Sequence, residues 1–275
     1  MPRVAAIQIA AGPILAANLD EAKRRIAEAA AAGAGLVVLP ENFALMGEQE
    51  ADKLAVAETD GDGPIQTFLA EQAARHGIWL VGGTIPMATP RPGRVRAASL
   101  VYNHQGTRVA RYDKIHMFDV TVDADSGEVY VESETTEPGE RAVVVDTPFG
   151  RLGLAVCYDL RFPELFRYLV ARGMEILALP AAFTAATGKA HWGMLLRARA
   201  VENLCYVVAA AQGGFHVGGR ETYGHSMVVD PWGAVLAEME RGRGVVSADI
   251  DLDRLRELRQ RFPALQHQRF VCGPP

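Results

Sequence analysis

Two short apolar segments with nearly the same sequence place the strongest constraint on the fold. Residues 36–43 read LVVLPENF and residues 176–183 read ILALPAAF. A continuously apolar run of this length is typical of a strand buried on both faces. The repeat therefore predicts two related β-α units, and with them two similar halves packed face to face. Only the first copy carries a glutamate, Glu41, after its proline, so the shape of the turn does not require the carboxylate.

Antiparallel hairpins are interspersed among these buried strands. They are predicted over residues 97–112, over residues 142–156 and through the turn at residues 230–233. The two kinds of strand together predict an α/β fold with a mixed sheet, and the number of strands favours two sheets. No break in composition marks a domain boundary. Residues 1–275 are therefore predicted to form a single domain, with a tail from about Pro263 that packs on a neighbouring element or subunit.

Helical patterns separate the strands. One helix is predicted to begin at Asn18, where Glu21, three residues on, completes a capping box. Another is predicted over about residues 189–203, with Met194, Ala198 and Val201 at the spacing of one inward face.

Composition and charge exclude several classes of protein. The chain has 275 residues, 49% of them hydrophobic, and a net charge of −5 without a basic cluster, which argues against a nucleic acid partner. Its three cysteines are odd in number and form no CxxC pair, so neither a disulfide framework nor a metal site is expected. The motifs HExxH and GxxxxGK[ST] are missing, and no cofactor is expected. Without a secretory segment or an apolar run of membrane-spanning length, we expect a cytoplasmic protein with no membrane partner.

A strand-to-helix turn carries the first chemically notable side chain, Cys157. An apolar run over residues 152–156 leads into it, Pro163 begins a helical pattern after it, and Gly173 ends that pattern. The N–H groups at the start of such a helix favour a thiolate, which is the reactive form of cysteine. Free cysteines are also among the most buried residues. Position alone therefore leaves a nucleophile and a core side chain equally open.

Three groups with suitable chemistry follow predicted strands, namely Glu41, Lys114 and Cys157. In open α/β sheets the working residues cluster beyond the carboxyl ends of the strands. Together these groups supply a nucleophile, a base for its proton and a cation for a developing oxyanion, which is what acyl transfer from an amide requires. Taken singly, each residue also has a structural interpretation. Glu41 could be a carboxylate at the start of a helix, and Lys114 could lie at the solvated end of a hairpin. A papain-like site is disfavoured because its cysteine signature is missing.

Three blocks around these residues resemble the signature motifs of the nitrilase superfamily of carbon–nitrogen hydrolases. They are LPE at residues 39–41, YDKIHMFD at residues 112–119 and CYDLRFPE at residues 157–164. The resemblance covers almost the whole chain. It implies a four-layer α-β-β-α sandwich of two mixed sheets, which associates as a homodimer or larger homo-oligomer.

The resemblance also implies which residues are catalytic. The Glu-Lys-Cys triad of the superfamily corresponds to Glu41, Lys114 and Cys157. The superfamily has a second glutamate in the loop before the cysteine strand, and Glu132 matches its position. Other glutamates in the same polar loop, residues 119–140, are alternatives for this role, namely Glu128 and Glu134.

Later segments are most similar, within the superfamily, to amidases that act on deaminated glutathione. They are residues 190–192, 196–203, 206–212 and 223–233. This similarity implies a thiol-dependent amidase that hydrolyses the ω-amide bond of a 2-oxo-dicarboxylate amide. Deaminated glutathione would give 2-oxoglutarate and Cys-Gly through a cysteinyl thioester. The alternatives are an ω-amidase acting on 2-oxoglutaramate or 2-oxosuccinamate, and a catalytically silent interaction module.

Four residues are predicted to bind this small-molecule amide. The backbone N–H of Tyr158 would join the lysine in holding the oxyanion. Arg161, four residues after the nucleophile, is placed for a bidentate contact with a substrate carboxylate, although a salt bridge with Glu164 or an acid across the sheet is an equal alternative. Phe183 and Thr187 follow a strand end and are expected to line the pocket.

Overall fold

The computed structural model describes residues 1–123 and 128–270, and most of its strands belong to two large sheets. In chain order the strands are β1 (Arg3–Gln8), β2 (Ala34–Val38), β3 (Trp79–Val81), β4 (Ile85–Ala88), β5 (Val95–Tyr102), β6 (Arg108–Asp113), β7 (Asp119–Asp123), β8 (Glu128–Val131), β9 (Val143–Thr147), β10 (Gly150–Leu154), β11 (Ile176–Ala181), β12 (Tyr206–Ala211), β13 (Gly213–Phe215), β14 (Glu221–Tyr223), β15 (Ser226–Val229), β16 (Val235–Met239) and β17 (Gly244–Asp249). The α-helices are α1 (Leu15–Ala31), α2 (Pro64–His76), α3 (Pro163–Ala171), α4 (Ala185–Thr187), α5 (Gly193–Asn203) and α6 (Leu252–Arg261).

The two large sheets are both mixed. The first has the order β17-β1-β2-β3-β5-β4, with β6 paired to β5, and the second has the order β16-β15-β12-β11-β10-β9. In the first sheet β2 lies between two parallel neighbours, and in the second sheet β11 does the same. The two copies of the repeated segment thus occupy matching positions in two sheets that face each other, with β1 packed against β12.

The alternation of side chains along β1 explains the layers. Val4 and Ala6 join an apolar cluster shared with the second sheet, whereas Ala5 and Ile7 join a separate cluster that includes α1 and α2. On the outer face of the second sheet, α3 and α5 bury apolar side chains in the first of these clusters. The chain is therefore an α-β-β-α sandwich, and the predicted fold class is confirmed.

The start of α1 differs from the prediction. The helix begins at Leu15 and has no side-chain cap, so Asn18 lies inside its first turn. The buried Asn18 amide instead donates a hydrogen bond of 2.8 Å to the carbonyl of Ala44. A residue type that favours helix caps is used here to anchor the segment that follows Glu41.

The prediction for α5 names the wrong face. Met194 and Val201 are 66% and 46% exposed, and Leu196 and Ala200 pack on the core in their place. The buried Arg199 guanidinium donates two hydrogen bonds, of 2.8 and 3.1 Å, to one backbone carbonyl. Because its N–H groups are hydrogen-bonded, this charged residue can be buried. The buried face of α5 therefore includes an arginine, which a pattern of apolar residues alone does not predict.

Two other regions bear on the sequence predictions. Residues 119–140 contain the β7–β8 hairpin and a 3₁₀ turn, Glu132–Glu134. In the C-terminal tail, Leu265 packs against the core, and residues 271–275, with Cys272, lie outside the described residues. The single domain and a contact of the tail with another subunit stay predictions. None of the helices in the described part of the chain has the length and apolar character needed to cross a membrane.

Candidate active site

Glu41 follows β2 and is almost fully buried, with 3% of its surface exposed. Its carbonyl oxygen accepts a hydrogen bond of 2.9 Å from the side chain of Gln212, which follows β12. The next residue, Asn42, has a φ of 55° and donates its N–H to Thr84 Oγ1 at 2.9 Å. Asparagine tolerates this left-handed conformation better than most residues. Contacts from both sheets therefore hold the segment that carries the carboxylate.

Lys114 follows β6 and joins two carboxylates. Its ammonium, 2% exposed, donates to Glu41 Oε1 at 2.8 Å and to both carboxylate oxygens of Glu132 at 2.9 and 2.8 Å. Burial lowers the pKa of Lys114, but the charges of Glu132 and Glu41 outweigh it and raise this pKa well above its ordinary value. The lysine is therefore a fixed cation.

Glu132 is the first residue of the 3₁₀ turn after β8. Besides Lys114, its carboxylate accepts the backbone N–H of Phe118 at 2.8 Å. Glu134, one of the sequence alternatives, is exposed, and the side chain of Glu128 lies outside the described part of the structure. Of the loop glutamates whose side chains are described, Glu132 is the one that contacts Lys114.

Cys157 lies three residues after the end of β10, directly follows the extended residue Val156 and begins a 3₁₀ turn. It is 7% exposed and has a φ of 47°, a backbone conformation that is rare outside glycine and concentrates at functional sites. The turn is closed by the carboxylate of Asp159, which accepts the N–H of Val156 at 2.8 Å. The chain thus bends sharply at the sulfur.

The surroundings of the thiol set its protonation state. Burial raises the pKa of Cys157 well above its ordinary value and the charge of Glu41 raises it further, against the charge of Lys114 and the backbone of Ala182, which lower it. The resting thiol is therefore protonated near neutral pH, which suits a reaction that begins when a base takes its proton. α3 begins only at Pro163, so burial beside a carboxylate outweighs the effect of a helix start.

A single pocket collects these groups. It encloses about 500 Å³ of empty space, its open mouth included. Its lining contains the residues predicted to be catalytic or to bind substrate: Glu41, Lys114, Glu132, Cys157, Tyr158, Arg161, Phe183 and Thr187. The described residues hold no group of three or more His, Cys, Asp or Glu side chains arranged to bind a metal ion.

A family model describes the chain almost from end to end. The model named carbon-nitrogen hydrolase matches residues 3–260. The chain belongs to this family. The resemblance carried by the three sequence blocks is thereby confirmed.

Individual relatives agree with the family assignment. A protein named deaminated glutathione amidase from Yersinia enterocolitica is 45% identical over 98% of this chain and 94% of its own length. The crystal structure of the C. elegans NitFhit protein is 39% identical, with a TM-score of 0.89, and covers 98% of this chain but 65% of that longer one. An amidase from Nesterenkonia sp. AN1, crystallised with acrylamide added at its active-site cysteine, is 29% identical with a TM-score of 0.79, covering 96% of this chain and 98% of its own.

Asp159 is a site residue of this carbon–nitrogen hydrolase that the sequence reasoning missed. It is fully buried. Besides closing the Cys157 turn, its carboxylate accepts the Tyr112 hydroxyl at 2.7 Å and the N–H of His116 at 3.1 Å. Tyr112 and His116 flank Lys114 by two residues on either side. Asp159 therefore links the nucleophile segment to the lysine segment, and its presence in one of the family blocks is the signal that could have found it.

Arg161 turns toward the pocket of the hydrolase. Among the described residues it forms no ion pair with Glu164 or another carboxylate; its guanidinium contacts His191 Nδ1 at 3.1 Å and lies 5.2 Å from the ring centre of Phe183. The Thr187 N–H and hydroxyl both contact the hydroxyl of Thr184. The cation is thus available to an anionic ligand beside the Phe183 ring, and Thr187 lines the same pocket.

The pocket also contains charges that no motif indicated. Glu50, Lys53 and Arg220 line it together with Tyr130. Glu50 and Lys53 belong to a 3₁₀ helix before α2, Glu50–Val56, whereas Tyr130 lies in β8 and Arg220 in a turn between β13 and β14. These three segments lie far apart in sequence, so the pattern that located the first group at strand ends could not locate them.

Proposed function

We propose that this carbon–nitrogen hydrolase is a thiol-dependent amidase that cleaves the ω-amide bond of a 2-oxo-dicarboxylate amide. The substrate is deaminated glutathione and the products are 2-oxoglutarate and Cys-Gly. The observation that carries the proposal is the buried Lys114 ammonium held between Glu41 and Glu132, in the pocket that contains Cys157. The name of the Yersinia relative supports the choice of substrate.

Acylation begins with proton transfer. Glu41 takes the proton of the Cys157 thiol as the sulfur attacks the amide carbonyl. Lys114 and the backbone N–H of Tyr158 stabilise the oxyanion, and losing one such donor typically costs about 10²–10³ in rate. The tetrahedral intermediate collapses, the C–N bond breaks, and Glu41 returns the proton to the departing amine. Cys157 is left as a thioester.

Deacylation uses the same base. Glu41, again ionised, takes a proton from water, and the resulting hydroxide attacks the thioester carbonyl. The C–S bond then breaks, and Glu41 returns the proton to the sulfur. Glu132 acts by positioning, because it binds Lys114 with both oxygens and fixes the Phe118 backbone next to it.

The acyl side of the substrate carries a 2-oxo acid. Arg161, free of a carboxylate partner among the described residues and beside Phe183, supplies a cation for that carboxylate. The ring covers the short methylene chain, and Thr187 offers a hydroxyl to the polar end of the acyl group. These assignments explain why a dicarboxylic amide suits the pocket better than a plain aliphatic amide.

The proposed reaction is tested by incubating the purified chain with deaminated glutathione and measuring 2-oxoglutarate and Cys-Gly. Comparison of kcat/KM with 2-oxoglutaramate separates the two amidase hypotheses, and a higher value for 2-oxoglutaramate would reassign the substrate. Absence of hydrolysis of every ω-amide tested, with no adduct on Cys157, would favour the silent module. Cys157→Ala serves as the inactive control.

We further propose that the protein works in the cytoplasm as a homo-oligomer. Cys157 and Cys205 are both free thiols, as suits a reducing compartment. Met194, Val201 and Trp232 are large apolar side chains exposed on the α5 side of the sandwich, and exposed apolar groups of this kind favour association. Light scattering coupled to gel filtration tests the oligomer, and a monomer at micromolar concentration would refute it.

A further inference from the structure

A group of charged side chains forms the outer wall of the catalytic pocket. Glu50 contacts the Lys53 ammonium, and its other oxygen lies 3.9 Å from Arg220 Nη1. We call these three residues the outer charge cluster. The same residues also line a second, wider cavity that opens outward from the catalytic pocket. The cluster therefore stands where one space passes into the other.

The cluster is tied to the wall of the catalytic pocket. Arg220 Nη2 donates a hydrogen bond of 2.9 Å to the carbonyl oxygen of Ala182, and Ala182 lines this pocket together with Cys157. A leaving group that departs from the carbonyl carbon toward the wide cavity therefore passes this arginine.

The charges of the cluster do not balance. It contains two cations and one carboxylate. Although burial raises the pKa of Glu50, the charges of Lys53 and Arg220 lower it below its ordinary value, so the carboxylate is ionised and the cluster keeps one net positive charge. Among the described residues the buried Arg220 Nε has no hydrogen-bond partner. Buried polar groups are rarely left unpaired in this way.

We infer that the outer charge cluster binds the C-terminal carboxylate of the leaving group, with Arg220 as its main ligand and Lys53 in support. The inference rests on the proposed function, because deaminated glutathione leaves a Cys-Gly dipeptide that ends in a carboxylate. Arg161 takes the carboxylate of the 2-oxo acid on one side of the scissile bond, and Arg220 takes the glycine carboxylate on the other.

The charge of the leaving group fits this placement. An incoming carboxylate neutralises the net charge of the cluster, and the part of the Arg220 side chain that is exposed, 21% of it, lines the pocket. A simple ω-amide such as 2-oxoglutaramate releases ammonia and cannot use the subsite. The cluster therefore explains specificity for a peptide-like amide over a primary one.

The test compares substrates that differ in one charge. The full chain is given deaminated glutathione, its analogue with the glycine carboxylate converted to a carboxamide, and 2-oxoglutaramate. For the wild-type protein we expect kcat/KM to be roughly 10- to 100-fold higher for the carboxylate than for the carboxamide, since a charge-assisted hydrogen bond is lost. Arg220→Gln should bring this ratio close to one, and Lys53→Gln should lower it.

Matched surface variants provide the control. Arg75 and Lys23 are exposed residues of α2 and α1, so Arg75→Gln and Lys23→Gln should keep the wild-type ratio. A wild-type ratio near one overturns the subsite, and this measurement needs no variant to fold. A ratio that Arg220→Gln leaves unchanged overturns it as well. In both cases continued hydrolysis leaves the amidase assignment standing, whereas no hydrolysis of any of the three substrates overturns both.

Discussion

Replacing Glu132 by glutamine removes one of two negative charges that face a buried cation. The Lys114 ammonium, 2% exposed, makes three contacts of 2.8–2.9 Å to carboxylate oxygens, and two of them are to Glu132. Removing one partner of a buried ion pair costs about 3–5 kcal/mol. Glutamine keeps the volume and one acceptor, so we expect the lower end, about 3 kcal/mol in the free energy of unfolding.

Two measurements follow from that figure. A loss of this size lowers Tm by roughly 6–12 °C for a domain of this length. Because Lys114 loses part of what positions it, kcat for amide hydrolysis should fall by about 10²–10³. Differential scanning calorimetry and steady-state kinetics on deaminated glutathione measure both, at a pH where the carboxylates are ionised.

The neighbouring glutamate provides a control for Glu132→Gln. Glu134 lies in the same turn but is exposed, so Glu134→Gln should change Tm and kcat little. If Glu134→Gln were the damaging change and Glu132→Gln behaved as wild type, the reasoning about the buried lysine would be refuted. Glu134 would then take the role of the second glutamate.

Three further predictions test other parts of the site and core. Glu41→Gln should lower the pKa of Cys157, because a charge that raises it is removed. The pH midpoint of Cys157 alkylation by iodoacetamide should therefore move down, while the rate of amide hydrolysis falls by roughly 10²–10⁴. An upward shift of the midpoint would contradict this. Asp159→Asn should lower the free energy of unfolding by about 1–3 kcal/mol, since one buried donor is left unpaired, and it should also lower kcat. Asp146 is 84% exposed, so the control Asp146→Asn should change neither the stability nor kcat. Burial raises the pKa of Cys205 from 9.0 to about 12, so above pH 9 the unfolded chain releases a proton that the native chain keeps. Stability should then fall by about 1.4 kcal/mol per pH unit. Urea titrations of Cys205→Ala should show a shallower decline over that range, and equal slopes would contradict the assignment.

The sequence predicts the fold well because it carries the fold's repeated unit. Residues 36–40 and 176–180, which both end in Leu-Pro, are apolar throughout. A continuously apolar strand is typical of a position covered on both faces of a sheet. Both became central strands of facing sheets. The same reasoning placed Glu41, Lys114 and Cys157 at strand ends, and these ends meet at one pocket. Their chemical roles stay predictions until activity is measured.

What the sequence did not predict depends on contacts between distant segments. Asp159 and the outer charge cluster act through partners brought together only by folding, so no spacing rule selects them. The buried face of α5 includes Arg199, whose guanidinium donates to the carbonyl oxygen of Leu160. A hydropathy pattern contains no information about such a hydrogen bond. The raised pKa of Cys157 is a third case, because the start of a helix is visible in sequence but burial beside a carboxylate is not.

The proposed mechanism requires Cys157 to be acylated by the substrate during turnover. Rapid mixing of the chain with deaminated glutathione, followed by acid quench and mass spectrometry of the digested protein, measures this acylation directly. We expect a 2-oxoglutaryl thioester on the peptide that carries Cys157, formed together with one equivalent of Cys-Gly and absent in Cys157→Ala. Hydrolysis that persists in Cys157→Ala, or turnover of wild-type protein with no acylated Cys157 at any time point, would contradict it.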